Sequence, residues 1–86
     1  MGRSFRSRPK RLGAKLKVIR MSLELTQDQM IERLGVKDEP LRAASISAYE
    51  KNLREPPLIV LLRYARVYGC TMEDLVDDTL KLPGAN

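Results

Sequence analysis

The side chains that most often carry out chemistry in proteins are scarce in this chain. Its 86 residues contain no histidine and a single cysteine, Cys70, a composition that supports neither a zinc site nor a thiol nucleophile with an imidazole partner. The five glycines are scattered and form no phosphate-binding loop, and the carboxylates of residues 73–78 lack the spacing of a calcium loop. We therefore expect no enzyme, no metal site and no cofactor.

The sequence does support electrostatic binding. The formal net charge is +5, and residues 1–20 carry eight arginines and lysines without an acidic residue. Such a basic segment attracts nucleic acid or anionic lipid, or is simply a solvated tail. No apolar stretch follows it as in a secretory signal, and the longest apolar run, residues 58–62, is too short to cross a bilayer. With one cysteine, the chain needs no oxidising compartment, and we expect it in the cytoplasm.

Caps and apolar periodicity predict five short helices around one aliphatic core. The clearest is the second, with Thr26 as N-cap, residues 27–34 as two turns, and Gly35 free to take the positive φ that ends a helix. The others are expected at 9–21, at 42–51, from 58 to a stop at Gly69, and after the cap Thr71. The fourth and fifth helices are expected to bury Leu58, Leu61, Leu62, Ala65, Tyr68, Leu75 and Val76.

The predicted organisation is a basic flexible arm at 1–9, one all-α domain at 10–80, and a short flexible tail at 81–86. Three segments within this domain form a recognisable series: LTQDQMIERLGV at 25–36, YEKNLREP at 49–56, and LLRYARVYGCTMEDL at 61–75. In order and spacing, over residues 10–78, they resemble the phage repressor and Cro-type helix-turn-helix family, also called Xre-type regulators. The resemblance implies a compact five-helix, lambda-repressor-like DNA-binding domain whose second and third helices form the helix-turn-helix. Such domains are usually dimeric on a two-fold symmetric operator.

The resemblance also implies roles for individual residues. Gln27 would lie at the DNA phosphate backbone, and Lys51 and Arg54 would bind phosphate just after the third helix. Arg20 and Glu50 would form a structural ion pair between the first and third helices. The third helix would present small side chains to base edges, namely Ala43, Ala44, Ser45, Ser47 and Ala48. The predicted DNA-binding set is completed by Arg42, Arg6, Arg8, Lys10 and Arg11.

Three positions depart from the family pattern. Ile31 stands where the family usually has alanine, which predicts a wider angle between the second and third helices. Residues 37–41 look like an insertion in the turn, and Asn52 replaces the more usual glycine. Alanine and serine also discriminate weakly between bases, so we expect phosphate contacts, groove shape and the basic arm to supply much of the affinity.

The sequence thus predicts a transcriptional regulator that binds double-stranded DNA sequence-specifically, and we expect a repressor that occupies its operator as a homodimer. The alternative is a protein-interaction module, or an antitoxin-like partner of a toxin, that keeps the fold but reads little DNA. The sequence leaves the dimer surface open, with the fifth helix and residues 80–83 as the first candidate.

Overall fold

The computed structural model describes residues 8–84. Within that range the secondary structure consists of helices without a strand: α1 Leu12–Ser22, α2 Gln27–Leu34, α3 Ala43–Glu50, α4 Leu58–Tyr68 and α5 Met72–Val76. The predicted all-α fold of five helices is confirmed. The start of α1 was predicted three residues too early: Arg11 is the N-cap, and the backbone N–H groups of Lys10 and Arg11 donate to the carboxylate of Asp78.

Reciprocal capping sets the starts of α2 and α5. Thr26 Oγ1 accepts from the Gln29 N–H at 3.1 Å, while Gln29 Oε1 accepts from the Thr26 N–H at 2.8 Å. Thr71 and Asp74 repeat the arrangement at the start of α5. Each box satisfies two backbone N–H groups that a helix start otherwise leaves without partners. The predicted boundaries were correct here because a cap acts through neighbours in sequence.

The core is aliphatic with two buried tyrosines, and its α4 face differs from the predicted one. Val60 and Tyr64 are fully buried, whereas Leu58 is 72% exposed, and Val76 in α5 is 39% exposed. The predicted inward stripe of α4 was therefore rotated about the helix axis, and its true members are Val60, Leu61, Tyr64 and Ala65. The helices contribute the remaining core residues as follows: Leu12, Leu16, Ile19, Met30, Leu34, Ile46, Tyr49 and Leu75.

The chain beyond α5 packs against α1 and α4. Lys15 is buried and its Nζ donates to the backbone oxygens of Asp74, at 2.7 Å, and Asp77, at 2.9 Å. Leu82 belongs to the core, and the Tyr68 hydroxyl donates to the Pro83 carbonyl. The predicted boundary after residue 80 thus cuts off part of the domain. No helix in the described range has the length and apolar character needed to span a membrane.

Candidate nucleic-acid interface

Helix α3 has one face in the core and one at the surface. Ser45, Ile46 and Tyr49 are buried between α1 and α2. The opposite face carries side chains at the i, i+3, i+4, i+7 spacing of a single helical stripe. Its members are Ala44, Ser47, Ala48 and Lys51, which are exposed or half-buried. We call these four residues the α3 outer face.

One predicted base-reading residue, Ser45, lies off this face. Ser45 is only 8% exposed, and its Oγ accepts a hydrogen bond from the Arg42 N–H at the start of α3. The family resemblance implied that Ser45 lies at base edges, but in the folded domain its hydroxyl accepts a hydrogen bond at the N-terminus of α3. Ala43 is half-buried and borders a depression between the helices, together with Ile31 and Leu41. Ser45 therefore points away from the stripe that a DNA groove could meet, whereas Ala43, half-buried like Ser47 and one turn before it, lies at the edge of that stripe.

A bidentate ion pair holds the end of α3 against α1. Arg20 Nε donates to Glu50 Oε2 at 2.6 Å, and Arg20 Nη2 donates to Glu50 Oε1 at 3.1 Å. The third guanidinium nitrogen, Nη1, donates to the Leu25 carbonyl at 2.9 Å, and the side chains are only 12% and 5% exposed. The pair and its hydrogen bonds raise the pKa of Arg20 against the opposing effect of burial. One arginine thus connects α1, the start of the helix-turn-helix and the end of α3.

The lengthened turn between α2 and α3 is fixed from α4. Gly35 ends α2 with a φ of 64°, and residues 36–42 continue without helical structure. Arg63 Nε donates to the Leu34 carbonyl at 2.8 Å, and its Nη2 to the Gly35 carbonyl at 3.5 Å. The positive charge of Arg63 also interacts favourably with the negative, C-terminal end of the α2 dipole. Arg63 therefore anchors the turn where the inserted residues begin.

The predicted phosphate-binding residues lie around the α3 outer face. Gln27 is the first residue of α2, and Arg42 and Lys51 are exposed at the two ends of α3. Arg54 lies over the Tyr49 ring, with its Cζ 5.8 Å from the ring centroid, a distance suited to a cation–π contact. Burial raises the pKa of Tyr49, while the Arg54 charge acts in the opposite direction. The ring thus restrains a guanidinium whose donors remain open to solvent.

The basic residues before α1 separate into two groups. The Lys10 carbonyl accepts from Asn52 Nδ2 at 2.9 Å, which places residue 10 beside the end of α3. Arg11 instead borders a groove with Val18 and Lys81, on the outer side of α1. Arg8 is exposed, and Arg6 lies outside the described residues. The structure therefore brings Lys10, but not Arg11, to the side of the domain that carries Lys51.

Support for metal or thiol chemistry is absent from the whole described range, not only from the α3 outer face. No group of histidine, cysteine, aspartate and glutamate side chains within residues 8–84 could hold a metal ion. Burial raises the pKa of the Cys70 thiol, and the nearby Asp74 charge adds to the effect. A thiol with a raised pKa stays protonated and is a poor nucleophile.

Comparison with known proteins agrees with this geometry. A family model described as helix-turn-helix matches residues 16–75, most of the chain. The chain belongs to the phage repressor and Cro-type helix-turn-helix family. This membership makes it a DNA-binding transcriptional regulator and not an enzyme.

A solved structure shows the same fold. The helix-turn-helix regulator is similar to the P22 c2 repressor, whose crystal structure was determined in complex with the synthetic operator 9T in the presence of Tl⁺. The TM-score is 0.64, the sequences are 22% identical, and the match covers 78% of this chain and 94% of the other. A comparison with curated proteins gave no match. At this identity the similarity is evidence for the fold alone.

Sequence reasoning missed two residues that position the interface. Arg63 was read as part of a family-like segment, and Asn52 as a mild replacement for glycine; both make hydrogen bonds to distant segments. A usable signal for Asn52 was Gly13, because a glycine inside a helical pattern lowers helix stability and so often has a packing reason there. A Cβ at position 13 would lie 2.6 Å from the Glu50 carbonyl oxygen. No comparable signal marked Arg63.

Proposed function

We propose that this regulator is a sequence-specific repressor that binds its operator as a homodimer, with α3 in the major groove. The observation that carries the proposal is the composition of the α3 outer face. Ala44, Ser47 and Ala48 have short side chains, so the helix can approach base edges closely. Glu50, the acidic residue of α3, is paired with Arg20 and does not leave an unbalanced charge there. Exposed cations at both ends, Arg42 and Lys51, suit the phosphates on either side of a groove.

Small side chains set how such a helix would read DNA. The Ser47 hydroxyl can donate or accept, and the methyl groups of Ala44 and Ala48 fit the C5-methyl group of thymine. Neither provides the bidentate hydrogen bonds that arginine makes to guanine, so base discrimination is moderate. Phosphate contacts then supply much of the affinity, which should fall steeply with salt. In a plot of the logarithm of the binding constant against the logarithm of the salt concentration, the slope should be about −0.9 for each phosphate neutralised.

We propose that a second copy of the chain covers an exposed apolar surface formed by the residues that follow α3. Leu53 is 69% exposed and Leu58 is 72% exposed. Leu58 also lines an open groove together with Pro56 and Val76. Because residues 53–58 follow α3 directly, pairing through them would bring two α3 helices to the same side of a duplex. The first candidate from sequence was α5 with residues 80–83. Residues 80–83 are less suitable because Leu82 is already in the core, whereas Val76 of α5 lines the groove itself.

The test is selection of bound duplexes from a random DNA pool at near-physiological salt, followed by sequencing. An enriched inverted repeat with half-sites about one helical turn apart is the expected result. Leu58→Lys, which should weaken dimerisation in sedimentation, is expected to select single half-sites instead. Retention of DNA without an enriched sequence would contradict sequence-specific reading. An inverted repeat selected equally by a monomeric variant would contradict the proposed homodimer.

The weak reading capacity of the α3 outer face favours a second candidate, a protein-interaction module such as an antitoxin. Alanines and serines also allow close packing against another protein. Salt separates the two functions, because DNA binding weakens steeply as salt rises whereas association through apolar surface changes little. A folded protein that retains no duplex from the pool at low salt would support this candidate over the repressor.

A further inference from the structure

The outer side of α1 carries apolar side chains where a surface helix normally carries polar ones. Ala14, Val18 and Met21 follow one another at the i, i+4 and i+7 spacing that places them on one stripe. Val18 is 42% exposed and Met21 is 58% exposed, and Ala14 is exposed as well. This stripe lies opposite the one that buries Leu16 and Ile19. The solvent side of α1 is therefore apolar although it takes no part in the core.

The apolar stripe of α1 forms the floor of a groove. Two adjoining depressions, of about 400 and 570 Å³, meet at Ala14 and Val18, which line both. Leu80, from the segment that packs against α1, lines one end, and Met21 lines the other. We call Ala14, Val18, Met21 and Leu80 the α1 groove. Its flexible methionine can adapt to the shape of a partner, as methionines do at many binding surfaces.

The exposed charged side chains that line the α1 groove are all positive, namely Arg11, Lys17 and Lys81. A fourth lining cation, Lys15, is buried, and its ammonium donates to backbone oxygens at the end of α5. Helix α1 itself contains no acidic residue. Because the apolar floor is bordered by cations, the complementary partner is one that combines apolar with acidic side chains.

The α1 groove is separate from the α3 outer face. None of the residues that line it belongs to α2 or α3. The contacts of α1 with the end of α3 come from other side chains, because Arg20 pairs with Glu50 and the Gly13 N–H donates to Asn52 Oδ1 at 3.0 Å. Gly13 and Arg20 lie roughly a third of a turn around α1 from the groove stripe. The two surfaces thus face different directions and can be occupied at the same time.

We propose that the α1 groove binds an acidic amphipathic helix of a partner protein. In this mode of recognition, apolar anchors at i, i+3 or i+4, and i+7 lie on an apolar floor. From residue 14 to residue 21 the floor is about 10 Å long, which accommodates about two turns of a partner helix. Acidic side chains beside the anchors would face Arg11, Lys17 and Lys81. So small a contact makes the complex transient, with a dissociation constant on the order of micromolar.

The test is selection from a displayed library of random peptides of about 16 residues, long enough for about four helical turns. The target is the full chain, and the variant Val18→Glu/Met21→Glu serves for counter-selection. We expect survivors with apolar residues at helical spacing and a net negative charge. One synthetic survivor then becomes the probe in fluorescence anisotropy. Val18→Glu alone should weaken its binding at least about tenfold, because a carboxylate in the floor would be desolvated beside acidic side chains.

Two matched controls separate the groove from general effects of charge. Ile59→Glu makes the same kind of change on α4, at a side chain that is 45% exposed, and should leave the affinity for the peptide unchanged. Lys17→Glu/Lys81→Glu should weaken binding about tenfold at low salt, since two favourable exposed pairs are lost. Arg33→Glu/Lys37→Glu reverses two exposed cations away from the groove and should have little effect. Circular dichroism confirms that each variant is folded.

Four outcomes would overturn this inference. The first is a selection that yields no peptide able to distinguish the parent from the counter-selection variant, and the second is a set of survivors that are basic or lack helical spacing. The third is loss of self-association of the groove variants in sedimentation, which would make the groove an interface between copies of this chain. The fourth is displacement of the peptide by saturating duplex DNA, which would place it on the α3 outer face.

The inference goes beyond operator binding and does not depend on it. The peptide selection uses the chain without DNA, so its result stands whether or not an operator is found. Selection of duplexes by Val18→Glu, carried out separately, should return the same operator as the parent. The groove and the repressor proposals can therefore fail independently.

Discussion

The Arg20–Glu50 pair offers the sharpest prediction about how the helix-turn-helix is held. In Glu50→Gln, the Arg20 guanidinium keeps its place with only 12% of its side chain exposed but loses its counter-charge. Removing one partner of a buried pair costs about 3–5 kcal/mol. The glutamine amide oxygen can retain one of the two bonds, so we expect the lower end, about 3 kcal/mol. In a domain of this size, the corresponding fall in melting temperature is at least about 12 °C.

Urea unfolding at pH 7, followed by circular dichroism, measures this cost. The control is the matched substitution Glu32→Gln, at an exposed position of α2. The control should change the free energy of unfolding by less than about 0.5 kcal/mol. Because the Arg20–Glu50 pair is shielded from solvent, the deficit of Glu50→Gln should persist from about 0.1 to 1 M salt. A deficit below about 1 kcal/mol, the value of an exposed pair, would refute the buried-pair reasoning.

Three further predictions address the contacts around this pair. Gly13→Ala should lower the free energy of unfolding, measured in urea, by about 2 kcal/mol. Overpacking against the Glu50 carbonyl costs up to about 3 kcal/mol, and the better helix propensity of alanine offsets about 1 kcal/mol of that cost. Unchanged stability would contradict the close approach at Gly13. Tyr64→Phe should raise stability by about 1 kcal/mol, because the buried hydroxyl has no partner among the described residues; a loss would show that it is bonded in solution. The hydrogen bonds from the Lys10 and Arg11 N–H groups lower the pKa of the Asp78 carboxyl in the folded protein. The ionised carboxylate therefore stabilises the fold fully above the ordinary pKa of about 3.9, and this stabilisation is lost as the pH falls through the lower, folded-state pKa. The melting-temperature difference between the parent and Asp78→Asn should therefore shrink only in acid, and a difference that closes already at pH 5 to 6 would contradict the lowered pKa.

Local signals explain which parts of the fold the sequence could predict. The caps Thr26 and Thr71 act on residues three positions away, and Gly35 ends its helix through its own φ, so these boundaries follow from short stretches of sequence. The rotated face of α4 shows the limit of periodicity. Leu58 and Val60 are equally apolar, and which of them is buried depends on how α4 docks on its neighbours.

The candidate site was predictable in outline but not in its supporting contacts. Lys15 counted as one of the basic residues of the N-terminal region, yet its charge is used inside the domain, at the end of α5. Asp78 was read as part of an acidic run, although its carboxylate holds the start of α1, 67 and 68 residues away in sequence. Such contacts depend on the assembled fold, and neither composition nor spacing reports them.

The small residues of the α3 outer face make this domain a favourable starting point for altering operator preference. Ala44 is exposed, and Ser47 and Ala48 are half-buried, so folding depends on them far less than on Ile46 and Tyr49 beneath. Substitutions at exposed positions usually change stability by less than about 0.5 kcal/mol. Arginine, glutamine or asparagine could therefore be installed at Ala44 while the scaffold stays intact. Recognition in this regulator can thus diverge with little penalty in stability.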